Sequence, residues 1–93
     1  MLLKNLIKDI PKDKKNTIIS GLSINSNDVK KNYIFFAIKG KKFNGENYIK
    51  KAIKKGASVI VCSKNCSFND RKIIVIKTND IRFLLSGISS KFY

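Results

Sequence analysis

Lys41 and Lys42 stand inside a loop bracketed by Gly40 and Gly45, within the stretch NYIFFAIKGKKFNGENYIKKAIKKG that runs from Asn32 to Gly56. An apolar run of strand length precedes that loop and helical spacing follows it. A strand that passes through a glycine loop into a helix N-terminus offers an anion free backbone N–H groups and the positive end of the helix dipole. Two lysines in the same loop add cationic point charges, so the chemistry this stretch can perform is the holding of a phosphorylated ligand. The spacing matches neither the Walker loop nor the dinucleotide glycine fingerprint. An ordinary strand-to-helix connection with solvated lysines accounts for the same residues without any ligand.

The elements that position this loop are legible from periodicity. Tyr33 to Ile38 is short, apolar and aromatic, as a strand is. Ile49, Ala52 and Ile53 share one helical face, Lys50, Lys51, Lys54 and Lys55 lie largely on the other, and Gly56 is placed as the stop. Upstream, Leu2 to Asp9 has the spacing of a short helix ended by Pro11, followed by a charged loop to Asn16. Thr17 to Ile19 and Leu22 to Ile24 are expected as strand pieces around Gly21, and Asn25 to Asp28 as a turn whose side chains stand at one sheet edge near the glycine loop. Downstream, Ala57 to Cys62 and Ile73 to Ile76 are continuous apolar runs, as expected of strands buried on both faces of a parallel sheet. Asn79 or Asp80 can cap a last helix with Ile81, Leu84, Leu85, Ile88 and Phe92 in one stripe, a core-facing helix with no direct role in chemistry. The order implies an α/β fold, a small Rossmann-like sheet, mostly parallel, flanked by helices.

Size and composition bound the function. The 93 residues make one domain at most, without room for two lobes and a cleft. Hydrophobic content of 43% argues for a packed core rather than disorder. No apolar run approaches the ~20 residues of a membrane span, and charge interrupts the opening MLLKNLIKDI before a signal-peptide core could form, so a cytoplasmic location is expected. There is no histidine and only two cysteines, Cys62 and Cys66, which leaves no zinc site and no histidine-based catalysis. Cys62 ends an apolar strand and reads as a small core residue; Cys66 falls in a polar loop.

The net charge of +14 invites a nucleic-acid reading. Composition argues against it. Arg71 and Arg82 are the only arginines, whereas nucleic-acid binders favour arginine for bidentate contacts. Lysine, asparagine and isoleucine share AT-rich codons, so genome bias alone can produce this surface. A small basic nucleic-acid module would use Tyr33, Phe35 and Phe36 as a stacking strand, but Phe35 and Phe36 point in opposite directions.

The segment LSINSNDVKKNYIFFAIKGKKFNGENYIKKAIKKGASVIV resembles the N-terminal domain of the Mur ligases of peptidoglycan synthesis, in particular the UDP-N-acetylmuramoyl-tripeptide synthetase type. The likeness lies in a serine turn, a Gly-Asp-Leu-Phe-like start to a strand, a Gly-x-x-x-Asp-Gly loop and an Ala-x-x-x-Gly-Ala helix end. It extends to the closing LLSGISSKFY, which is similar to the segment leading to the family's central ATPase domain. The resemblance implies that residues 1–93 are the UDP-binding domain of a ligase adding meso-diaminopimelate or lysine to UDP-N-acetylmuramoyl-L-alanyl-D-glutamate. Such an enzyme uses ATP and magnesium, through an acyl phosphate, in central and C-terminal domains absent here. The chain carries no GxxxxGK[ST] loop, so no catalytic residue, metal or cofactor is assigned to it and it is not expected to be active alone.

Carried over by position, the family's contacts to the UDP moiety fall on Ile24 and Ser26 in the turn and on Lys41, Lys42, Phe43, Asn44 and Gly45 in the loop. Ser26 would offer a hydroxyl, Ile24 an apolar wall, Phe43 a ring, and Lys41 and Lys42 charge against a diphosphate. Ser26 as a plain turn former and Phe43 as a loop anchor remain open readings. The chain departs from the family where Asn25 and Asn27 replace the common aspartate and arginine, where Asn44 replaces aspartate, and at Lys41, often histidine or threonine. The D-alanyl-D-alanine-adding ligase, MurF, has a similar domain and is the nearest alternative.

Overall fold

The computed structural model describes residues 1–8, 10, 12–14, 16–40 and 44–93. Four parallel strands lie in sequence order: β1 (Gly21–Ser23), β2 (Tyr33–Phe36), β3 (Val59–Ser63) and β4 (Ile74–Thr78). The register sets Gly21 beside Tyr33, Ile34 beside Val59, and Val59 beside Ile74. Helix α1 (Ile49–Lys55) connects β2 to β3, and α2 (Ile81–Phe92) follows β4. The α/β architecture expected of the sequence is therefore the one observed.

Strand alternation divides the core into two layers. Ile34, Phe36, Val59 and Val61 face one way and pack against Ile81 and Ile88 of α2 and against Leu3, Leu6, Ile7 and Ile10 of the N-terminal segment. Phe35, Ala37, Ile60 and Cys62 face the other way and meet Ile49 and Ala52 of α1, together with Val29 and Cys66. Phe35 and Phe36 are both sealed from solvent, on opposite faces. No stacking platform for nucleic acid survives on β2.

Both helices end as their caps dictate. Gly56 closes α1 at φ 122°, where a β-carbon would be strained and would lie 2.7 Å from Lys31 Cα. Asp80 Oδ1 accepts from the Phe83 amide at 3.0 Å, so of the two candidate caps Asp80 is the one used.

Several local expectations fail for identifiable reasons. The short helix expected over Leu2–Asp9 is a single 3-10 turn, Leu3–Asn5. Leu2 pairs with Ile18 in an antiparallel bridge, the Leu3 amide donates to Thr17 O at 2.8 Å, and the Met1 amine donates to Ile19 O at 3.0 Å. Those bonds hold the chain extended as far as Leu2 and leave room for only one turn, while the apolar residues still reach the core. The same pairing reduces the piece expected at Thr17–Ile19 to that bridge, and β1 ends at Ser23, short of Ile24. Asp9 and Pro11, where the helix was expected to stop, lie outside the described residues. β4 is half-buried rather than buried on both faces, because as the last strand it has a neighbour on one side only. Cys66 is buried despite its polar surroundings, packed with Cys62 beneath the β3–β4 connection.

Candidate functional site

The turn after β1 is built by one asparagine. Asn25 Oδ1 accepts from the Asn27 amide at 2.9 Å and its carbonyl accepts from the Asp28 amide at 3.0 Å, which winds Ser26–Asp28 into a 3-10 turn. Ser23 Oγ anchors the turn's start by donating to Asn25 O at 2.8 Å and accepting from Asn25 N at 3.0 Å. Lys55, at the end of α1, donates to Asn27 O at 3.2 Å and ties the turn to the helix.

The glycine loop ends by the same device. Lys39 and Asn44 form an antiparallel bridge, and Asn44 Oδ1 accepts from the Glu46 amide at 3.0 Å to start the 3-10 turn Gly45–Tyr48, which runs directly into α1. The Gly45 amide donates to Ile38 O at 2.8 Å and the Asn47 amide to Asn44 O at 3.1 Å. The amides of residues 45, 46 and 47, read from sequence as free for an anion, are thus each engaged within the chain. Glu46 sets a carboxylate at this junction, and its Oε2 accepts from Ser63 Oγ at 2.9 Å. The remaining cationic candidates in the loop, Lys41 and Lys42, and the ring of Phe43 lie outside the described residues.

Both turns stand at the carboxyl edge of the parallel sheet, where α/β proteins hold ligands. There Ile24, Asn25, Ser26 and Asn27 line a hollow of about 330 Å³ together with Tyr48. Ile24 is 51% exposed and Ser26 only 4%, so the hollow pairs an open aliphatic wall with a recessed hydroxyl-bearing residue. The structure therefore brings Ile24 and Ser26 together, whereas Asn44 and Gly45 serve to shape the turn that delivers Tyr48. Sequence reasoning passed over Tyr48. The signal was present: in GENYI the tyrosine stands beside the apolar stripe of α1, not on it.

A family model described as "Mur ligase family, catalytic domain" matches residues 18–93. The chain belongs to the Mur ligase family. This Mur ligase chain is 38% identical over 97 residues to the UDP-N-acetylmuramyl-tripeptide synthetase of Borrelia garinii, covering 99% of this chain and 19% of that protein. It is 33% identical over 92 residues to UDP-N-acetylmuramoyl-L-alanyl-D-glutamate–2,6-diaminopimelate ligase 2 of Clostridium acetobutylicum, again covering 99% of this chain and 19% of that one. Among solved structures it is similar to the MurF ligase of Thermotoga maritima in complex with ADP, with a TM-score of 0.63 and 25% identity over 73% of this chain and 15% of that one. A MurF of Acinetobacter baumannii, at 21% identity and a TM-score of 0.67 over 90% of this chain and 17% of that one, shares the fold. The chain thus spans about a fifth of the length of these curated Mur ligases.

Two departures from the Mur ligase pattern now have a physical account. Asn25 and Asn44, where the family often has aspartate, both act as caps through a side-chain oxygen, a task either residue performs. At Asn27, where an arginine is common, the cation recorded at the turn is Lys55.

The sequence has no GxxxxGK[ST] loop, and among the described residues no three His, Cys, Asp or Glu side chains converge on one point. No described helix is long and apolar enough to cross a membrane.

Proposed function

We propose that residues 1–93 are the N-terminal, UDP-binding domain of a cytoplasmic tripeptide synthetase of the Mur ligase family. In full length that enzyme adds meso-diaminopimelate or lysine to UDP-N-acetylmuramoyl-L-alanyl-D-glutamate. The observation that carries this reading is the likeness over 99% of the chain to proteins named for that reaction, against only 19% of their length. The hollow at Ile24–Asn27 supports it with a site of suitable size and mixed polarity, since small-ligand pockets begin near ~300 Å³.

Within that reading this domain holds the nucleotide end of the substrate and does no bond chemistry. Ile24 supplies an apolar wall, Ser26 a polar group at the base, and Lys41 and Lys42, with Phe43, meet the diphosphate and the ring from the loop. ATP and magnesium act in the central domain, and the incoming amino acid is read by the C-terminal one. The identities of 33–38% to tripeptide synthetases and diaminopimelate ligases, against 20–25% to the MurF structures, favour the first type over the D-alanyl-D-alanine-adding alternative.

A two-dimensional NMR titration of the 15N-labelled chain with UDP tests this, repeated at raised salt and with a short oligonucleotide. Shifts confined to Ile24, Ser26 and residues 41–45 are expected with UDP, at weak affinity because other domains complete the site. Silence toward UDP, with broad salt-sensitive shifts across the lysines for the oligonucleotide, would overturn the proposal in favour of a polyanion binder.

A further inference from the structure

We infer that Cys62 and Cys66 form a dithiol that a small-molecule disulfide oxidises to an intrachain Cys62–Cys66 bridge, a modification site at the start of the β3–β4 connection. The two thiols are free, buried in the same cluster and hydrogen-bonded to each other. Cys62 lies in β3 and pairs in register with Lys77 of β4. Lys77 Nζ donates to the Cys66 carbonyl at 2.6 Å, and the Cys66 amide donates to Ser63 O at 3.0 Å, closing a turn over residues 63–66. The backbone of Cys66 is thus pinned on both sides, while its side chain joins the layer of Phe35 and Ile60 in which Cys62 is packed. Convergence of the two side chains is the first geometric demand of an S–S bond.

Access to the pair is one-sided, which orders the chemistry. Cys62 is fully enclosed, whereas Cys66 keeps 7% exposure and stands between exposed Asn65 and Ser67 in a connection without regular structure. Local opening of that connection presents Cys66 first. The Cys66 thiol loses its proton and its Sγ attacks one sulfur of the small disulfide, expelling the other as a thiolate that takes up a proton. Cys62 Sγ, losing its proton in turn, attacks Cys66 Sγ of the mixed disulfide and expels the second small thiol, which is protonated. Two protein thiols are oxidised and one external disulfide is reduced to two thiols. The bridge resists the reverse step, because burial disfavours Cys62 as a departing thiolate.

The test incubates the folded wild-type chain with oxidised glutathione, blocks the remaining thiols and digests with trypsin without reduction. Lys64 lies between the two cysteines, so cleavage after Lys55, Lys64 and Arg71 leaves Cys62 and Cys66 on separate peptides, 56–64 and 65–71. The expected product is a monomer lighter by two hydrogens in which those two peptides stay joined. The equilibrium constant for forming the bridge with glutathione should be about tenfold larger in buffer than in concentrated urea, because the fold holds the pair together. Cys62→Ala should stop at a glutathione adduct on Cys66, since it lacks the second thiol. Separate peptides, a glutathione adduct that persists on the wild-type chain, or equal constants in buffer and urea would each overturn the proposal.

Discussion

Gly45 lies against the backbone of Ile38 so closely that a β-carbon on it would sit 2.8 Å from both the Ile38 nitrogen and the Ile38 oxygen. Its amide donates to that same oxygen, also at 2.8 Å. The contact sets the glycine loop's end onto the carboxyl end of β2 and thereby fixes where Tyr48 emerges. Gly45→Ala is expected to destabilise the chain by about 2 kcal/mol, because the atoms it meets are backbone and cannot swing aside. Urea unfolding at neutral pH measures this, and a change within error of zero would show that the loop relaxes freely.

The two capping asparagines predict a graded series. Asn25→Ala and Asn44→Ala should each cost about 1 kcal/mol, whereas Asn25→Asp and Asn44→Asp should be close to neutral, since a carboxylate oxygen accepts the same amide. Thermal unfolding of the four variants decides the matter. Aspartates as damaging as alanines would mean that the asparagine Nδ2 groups carry bonds of their own.

Cys62 gives stability a pH dependence. Burial first, and the hydrogen bond with the Cys66 thiol after it, push its thiol up to about 12 from an ordinary 9.0. Below pH 9 folded and unfolded chains both carry the neutral thiol, so the contribution is fully present. Between about pH 9 and 12 only the unfolded chain ionises, and stability falls. Under reducing conditions the stability gap between wild type and Cys62→Ala should therefore narrow across that window, with lysine titration common to both. A gap that stays constant with pH would refute the assignment.

Lys41 and Lys42 supply the charge that the proposed function needs beside a diphosphate. Lys41→Ala combined with Lys42→Ala is expected to weaken UDP binding about tenfold and to flatten its salt dependence, as loss of two exposed point charges does. Calorimetric titration at two ionic strengths reports both effects, and an unchanged affinity would mean that the site draws its charge from elsewhere, Lys55 being the cation already at the turn.

What could be read from sequence was everything governed by near neighbours. The runs at Tyr33, Val59 and Ile74, the lysine-backed stripe ending at Gly56, and the Asp80-capped stripe of α2 are periodicities and caps spanning a few residues, and the structure contains them all. The departures lie where a partner distant in sequence intervened. Leu2 is extended because Ile18 bridges it, Cys66 is buried because the β3–β4 connection folds back over Cys62, and the amide of Gly45 is occupied because Ile38 reaches it.

The hollow follows the same division. Ile24 and Ser26 were named through the family resemblance, but their neighbour Tyr48, more than twenty positions away along the chain, was not. Sequence alone determined the strands β2, β3 and β4, the helices α1 and α2 and the turn after β1, since hydrophobic period and capping residues act locally, but not the state of residues 2–9 and 17–19. Tertiary structure decided which side chains share a surface, because parallel pairing of β1 with β2 sets the 24–27 turn and the loop leading into α1 at one sheet edge, and the Lys55 bond to Asn27 ties that turn to the helix.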